Sequence, residues 1–197
     1  MPKVSICLAA LLCLVLANAA RAQLTPREAG FRYSEQISNT PPGNCGCFTM
    51  QGAAIDAYWN IHQLKPEHRA DLGLVADFGV EHTGNENGTG SGFGLTLTTL
   101  EGGPRFKWQV KKVNTFAQAL LGFGHGSGSE FPENGTLVPS ASSFAFDFGA
   151  GADYPVNKRV SIRMLQLDYL HLALPNNTTD WQNNLRLAAG ITLHFPH

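Results

Sequence analysis

His125, Ser127 and Glu130 fall within the run HGSGSE, with Ser129 among them and Glu133 close behind. A hydroxyl nucleophile needs a base within hydrogen-bond reach and a carboxylate to orient that base. On an extended chain His125 and Ser127 share one face with Cβ atoms about 7 Å apart, so their side chains can meet. The competing reading is a Gly/Ser-rich loop, and the composition of the run favours it.

A second candidate is NCGCF, which places Cys45 and Cys47 one residue apart in a Pro/Gly-rich stretch. A zinc site needs further ligands that the stretch does not hold. Redox catalysis calls for C-x-x-C at the start of a helix, and this is C-x-C in a loop. A local Cys45–Cys47 disulfide is sterically open because Gly46 eases the turn. It would contribute only about 1.6 kcal/mol by loop-closure entropy. The expectation is therefore a small loop clip or two free thiols. The seven histidines, His62, His68, His82, His125, His171, His194 and His197, show no ligand spacing with a carboxylate or cysteine cluster. No metal and no cofactor are expected.

These residues must be held by something, and the chain ends say where. Lys3, an apolar run from Val4 to Ala17 and the triplet Ala20-Arg21-Ala22 have the layout of a secretory signal cleaved before Gln23. The run is too short for the roughly 20 residues that span a bilayer as a helix. Residues 1–22 are thus expected to be a signal peptide, and residues 23–197 one exported domain. Removing Lys3 and Arg21 takes the formal charge from −1 to −3. No basic block remains that would bind nucleic acid.

The domain shows strand periodicity throughout, and helical periodicity is absent. Four segments alternate strictly, since side chains i, i+2 and i+4 of a strand share a face. Ala53, Ile55, Ala57, Trp59 and Ile61 form one apolar face, and Leu72, Leu74, Ala76, Phe78 and Val80 another. Phe144, Phe146, Phe148, Ala150 and Ala152 form a third, and Leu185, Leu187, Ala189, Ile191, Leu193 and Phe195 a fourth. Weaker segments near residues 29–37, 92–100, 115–123 and 160–171 bring the expected total to eight strands. The connections alternate between long ones rich in Gly, Asn, Ser and Pro, such as HGSGSEFPENGTLVPSAS, and shorter ones carrying Lys65, Arg105, Lys107, Lys111, Lys112, Lys158 and Arg159.

Two architectures fit. A soluble lipocalin-like barrel turns its apolar face inward, and a transmembrane barrel turns it outward to lipid. The second face decides between them. It is Gly and Ala punctuated by Asp56, Asp77, Glu81, Asp147, Asp168 and Arg186, not the Lys and Glu of a water-facing surface. Such a face suits a narrow lumen in which these six residues form a structural charge network, because unpaired charge in a dry interior is costly. Aromatics near strand ends, including Tyr33, Trp59, Phe78, Phe93, Phe106, Trp108, Tyr154, Tyr169, Trp181 and Phe195, would form interfacial girdles. The fold class expected is an all-β, eight-stranded antiparallel up-and-down transmembrane barrel.

GAAIDAYWNI, LGLVADFGVEH, GGPRF, FAQALLGFGHG, FAFDFGAGADYPVNKRVSIRMLQLDYLHL and the closing NNLRLAAGITLHF together resemble the small OmpA-like or opacity-protein-like outer-membrane β-barrel family. The resemblance implies a bacterial outer-membrane location, lipids of that membrane as neighbours, and both termini in the periplasm. It also implies that the final strand, ending in the aromatic Phe195, is the signal read by the barrel assembly machinery. It names no ligand for the outer loops. The His-x-Ser pair separately resembles the outer-membrane lipid A deacylases, which would make His125 and Ser127 catalytic with Glu130. This chain has Gly128 where that family has Asn. The function expected is a structural, surface-interaction or narrow-pore barrel, with a lipid hydrolase or a soluble lipocalin-like barrel as alternatives.

Overall fold

The computed structural model describes residues 26–38, 48–64, 69–84, 94–133, 136–175 and 181–195. They form eight strands: β1 Arg27–Ser38, β2 Phe48–Leu64, β3 Ala70–Thr83, β4 Leu95–Val110, β5 Val113–Glu133, β6 Thr136–Pro155, β7 Val160–Leu172 and β8 Gln182–His194. Each strand pairs antiparallel with its sequence neighbours, and β1 closes on β8 through pairs running from Glu28↔His194 to Ser38↔Asn184. Closure leaves no sheet edge along the wall, which is the condition for strands to cross hydrocarbon. The strand lengths exceed the 9–11 tilted residues that a crossing needs.

The four strictly alternating segments have the faces expected of them. Ile55, Trp59, Leu74, Phe78, Phe148, Leu187 and Ile191 point outward, and the alternate positions are buried. Among the described residues thirty large apolar side chains are exposed on the outer surface, with Phe123 at 70%. A water-soluble protein does not carry so large an apolar surface, so the band faces lipid. The lipocalin-like alternative requires the opposite orientation and is overturned.

Two expectations need correction. GGPRFKWQV is not a basic connection: β4 runs on to Val110, and the turn is Lys111–Lys112 between the paired Val110 and Val113. Gly103, Arg105 and Lys107 alternate there with Pro104, Phe106 and Trp108. Arg105 and Lys107 are buried at 1% exposure. They face the lumen because Phe106 and Trp108, stacked at 5.3 Å, face out. The described residues of HGSGSEFPENGTLVPSAS are likewise strand and not loop. They form the far half of the β5–β6 hairpin, 21 and 20 residues long, which extends beyond β4 and β7. The inward glycines of β5 allow this: a Cβ at Gly124 would meet Leu172 at 2.3 Å. Past Ser127 the register shifts, and Gly128 occupies φ +89°, a conformation that glycine adopts without penalty.

Of the girdle aromatics, Tyr33, Trp59, Phe78, Phe106, Tyr169, Trp181 and Phe195 are exposed, whereas Trp108 and Tyr154 are half-buried. Phe93, Cys45, Cys47 and residues 1–22 lie outside the described residues.

Candidate functional site

The interior is built in layers. At the short-turn end Glu28 of β1 accepts hydrogen bonds from the Lys107 ammonium and from His194, whose Nδ1 lies 3.1 Å away. His194 Nε2 meets Ser161 Oγ at 2.6 Å, and Lys107 Nζ sits 4.9 Å above the Tyr58 ring.

The middle layer hangs on Asp56. Its Oδ2 accepts from Arg105 at 2.8 Å, and its Oδ1 from Arg163 at 2.8 Å and Arg32 at 3.4 Å. Arg32 also clamps Asp77 with both terminal nitrogens, at 2.6 and 2.7 Å, the bidentate geometry that suits a guanidinium to a carboxylate. Arg163 continues to Asp153 at 2.9 Å, and Arg105 to Gln118 Oε1 at 2.9 and 2.6 Å. Both guanidiniums approach the Phe116 ring, 4.6 and 4.8 Å from its centre. Gly151 makes room for that ring, since a Cβ there would fall 2.5 Å from Phe116 Cζ.

Above it, Arg186 reaches Glu81 at 3.3 Å and Asp147 at 4.0 Å, and Ser34 donates to Glu81 at 2.6 Å. Asp168 accepts from Gln166 and Gln118. Glu101, which sequence reasoning does not place in the lumen, is buried here at 3% exposure. Nine carboxyl and five cationic side chains are buried among the described residues, so acid outnumbers base and Arg186 is shared.

Among the described residues the long-loop end of the bore is filled by apolar side chains. Phe48, Met50, Leu95, Leu97, Phe131, Ala145, Leu170, Leu172 and Leu174 form a packed apolar cap inside the barrel mouth. Charged below and greasy above, the lumen is filled with side chains, as the bore of eight strands allows.

The structure places Asp56, Asp77, Glu81, Asp147, Asp168 and Arg186 together in this interior. Sequence reasoning missed their principal cations, Arg32, Arg105, Lys107 and Arg163. The available signal was alternation with outward aromatics, as in Arg105-Phe106-Lys107-Trp108, which a search for uncharged apolar faces passes over.

His125 and Ser127 both face outward on β5, and the contact His125 makes is with Ser142 across the hairpin, 2.8 Å from its Nδ1. Ser127 is paired with Thr96 and Ser140. Nothing is described of the Glu130 side chain. Among the described residues no three His, Cys, Asp or Glu side chains gather as a metal site.

No protein-family model matches the chain, and no curated protein matches it significantly. Solved structures do. Neisserial surface protein A (NspA) superposes with a TM-score of 0.66 at 15% identity, covering 87% of this chain and 98% of that one. Ail, the attachment invasion locus protein of Yersinia pestis, superposes with a TM-score of 0.53 at 16% identity, covering 86% and 99%. A second structure of Ail, in complex with the heparin analogue sucrose octasulfate, gives the same score at 14% identity. Likeness at such identity is a likeness of fold, and it agrees with the closed strand order, the lipid-facing band and the filled interior. The chain has the fold of the small eight-stranded outer-membrane β-barrels.

Proposed function

We propose that the protein is an outer-membrane barrel whose role is structural and surface-interactive, exported through cleavage of residues 1–22. The observation that carries this reading is the inverted distribution of side chains, with an apolar band outside and ion pairs under an apolar cap inside. The cap and the middle layer each fill the bore, which speaks for a closed barrel over a conducting one. The projecting β5–β6 hairpin supplies surface for contact outside the membrane, and attachment is what the name of Ail records for that protein. The long-loop end would face outward and the Lys111–Lys112 and Lys158–Arg159 turns the periplasm.

Extraction of outer membranes with detergent, followed by electrophoresis with and without boiling, should give two mobilities for the one chain. Planar bilayers carrying the refolded barrel should show no stepwise conductance. Recovery of the protein in the periplasm without detergent would sink the membrane reading, whereas discrete ion currents would overturn only the closed interior. The 2.8 Å His125–Ser142 contact is the observation that favours a lipid hydrolase as the second reading. Release of acyl chains from outer-membrane lipid, lost in His125→Ala, would establish it.

A further inference from the structure

Three strands that run toward the long-loop end finish their lipid-facing stripe in the same way. On β3 the outward series is Phe78, Val80, His82, on β5 it is Leu121, Phe123, His125, and on β7 it is Leu167, Tyr169, His171. In each case the outward residue just past the last apolar or aromatic one is a histidine.

The three sit at one level. Strands tilted by about 40°, spaced about 4.8 Å apart and rising about 3.3 Å per residue, change height along a hydrogen-bonded row by roughly one residue per strand. The row of His82 runs through Thr96 to Ser127, two residues past His125. The row of His171 runs through Phe146 to Leu121, four residues before His125. Both offsets have the sign that tilt demands; the first matches it in size and the second exceeds it by about two residues, so the three imidazoles lie within one band about 5 Å deep at the rim of the apolar surface.

Each ring is anchored on the strand beside it through Nδ1: His82 to Thr96 Oγ1 at 3.0 Å, His125 to Ser142 Oγ at 2.8 Å, and His171 to Asn183 Oδ1 at 2.8 Å. The residues facing them from the flanking strands are Gln51 and Thr96, Thr98 and Ser142, and Phe146 and Asn183. None of the six carries charge. A cation formed here finds no carboxylate among its register partners; the outward carboxylate on the row of His82 is Glu35 of β1, one strand beyond Gln51.

We propose that His82, His125 and His171 form a collar that binds the phosphate groups of lipids at the outward boundary of the membrane. The position selects the occupant: immediately above hydrocarbon come the headgroups, and a phosphate is the anion they present. A protonated imidazole is a cation and a neutral one is not, so protonation of the collar strengthens its hold on lipid phosphate. The inference rests on the membrane reading given above.

The test uses the refolded barrel in phosphatidylcholine vesicles containing a minor share of phosphatidylglycerol, whose phosphodiester keeps its charge at both pH values compared. Spin-labelled phosphatidylglycerol and phosphatidylcholine report which lipid is held at the barrel wall. Preference for phosphatidylglycerol should be higher at about pH 5 than at about pH 8, by about fivefold per contacted lipid if each imidazolium acts like a basic residue at the membrane surface. The variant carrying His82→Gln, His125→Gln and His171→Gln should lose this difference, and each single variant should lose part of it. His62→Gln, at an exposed position near the other end of β2, should keep it. A pH-independent preference in the natural barrel, or an unchanged difference in the triple variant, overturns the collar while the inserted barrel stands. If the chain does not float with the vesicles at all, the membrane reading fails and the collar with it.

Discussion

Below Gln36 the bore is filled by guanidiniums and carboxylates that converge on Asp56, whereas above it the same bore is filled by Phe48, Leu97, Phe131 and Leu172, flanked by the uncharged Ser38 and Asn184. Ion pairs are directional and fix which residue must face which. Apolar packing tolerates exchange as long as volume is kept. The lower interior therefore specifies register, and the upper one mainly excludes water. A buried ion pair is weak as a net source of stability but severe when broken, because removal of one partner strands the other. The cap has no such asymmetry.

Asp56→Ala should break the comparison hardest. It leaves Arg32, Arg105 and Arg163 facing one another, and a loss of about 3–5 kcal/mol is expected from urea unfolding of the refolded barrel, followed by its unboiled gel mobility. A variant as stable as the natural chain would show that Asp56 is not the hub. In the cap, Leu97→Ala should cost about 2.5 kcal/mol in the same titration, because it opens a cavity at a fully buried site. Its conductance should stay nil, since the ion-paired layers beneath still fill the bore; current through Leu97→Ala would make the cap the only seal. Gly151→Ala should cost about 2 kcal/mol, because the new methyl meets both the Phe116 ring and the Leu165 carbonyl, 2.9 Å from its position. Phe116→Leu should cost about 1 kcal/mol by removing the ring that two guanidiniums share. A thermal melt in which Leu97→Ala costs more than Asp56→Ala would invert the assignment of the two roles.

The barrel was legible wherever one face of a strand is uniformly apolar, as in Ala53 to Ile61 or Leu185 to Phe195. It was illegible where the outward face is mixed. On β4 the outward residues include Gly102 and Pro104, so Arg105 and Lys107 read as a basic turn although they alternate with Phe106 and Trp108. On β5 Gly126, read as loop, is an inward strand position that lies against Phe131 farther along the same strand, and Gly124 admits Leu172 of β7. No local pattern reveals that. The acidic half of the interior could be read off its own strands, but which cation meets which acid is a matter of register. The contact between Arg163 and Asp56 spans 107 positions of sequence and cannot be assigned without the closed cylinder.

That span bears on how the protein is made. Glu28 and His194, 166 positions apart, meet only when the first and last strands join, and Arg163 reaches Asp56 from β7 across the tube. A half-finished sheet would hold Asp56, Arg32 and Asp77 without Arg163, and Glu28 without His194. Chain ends this distant come together slowly, because the entropy of a long loop is lost before its contacts form. The ion pairs of the interior are thus complete only in the joined cylinder, and a sheet that is unclosed or out of register leaves charge uncompensated, at the cost that a stranded buried ion carries.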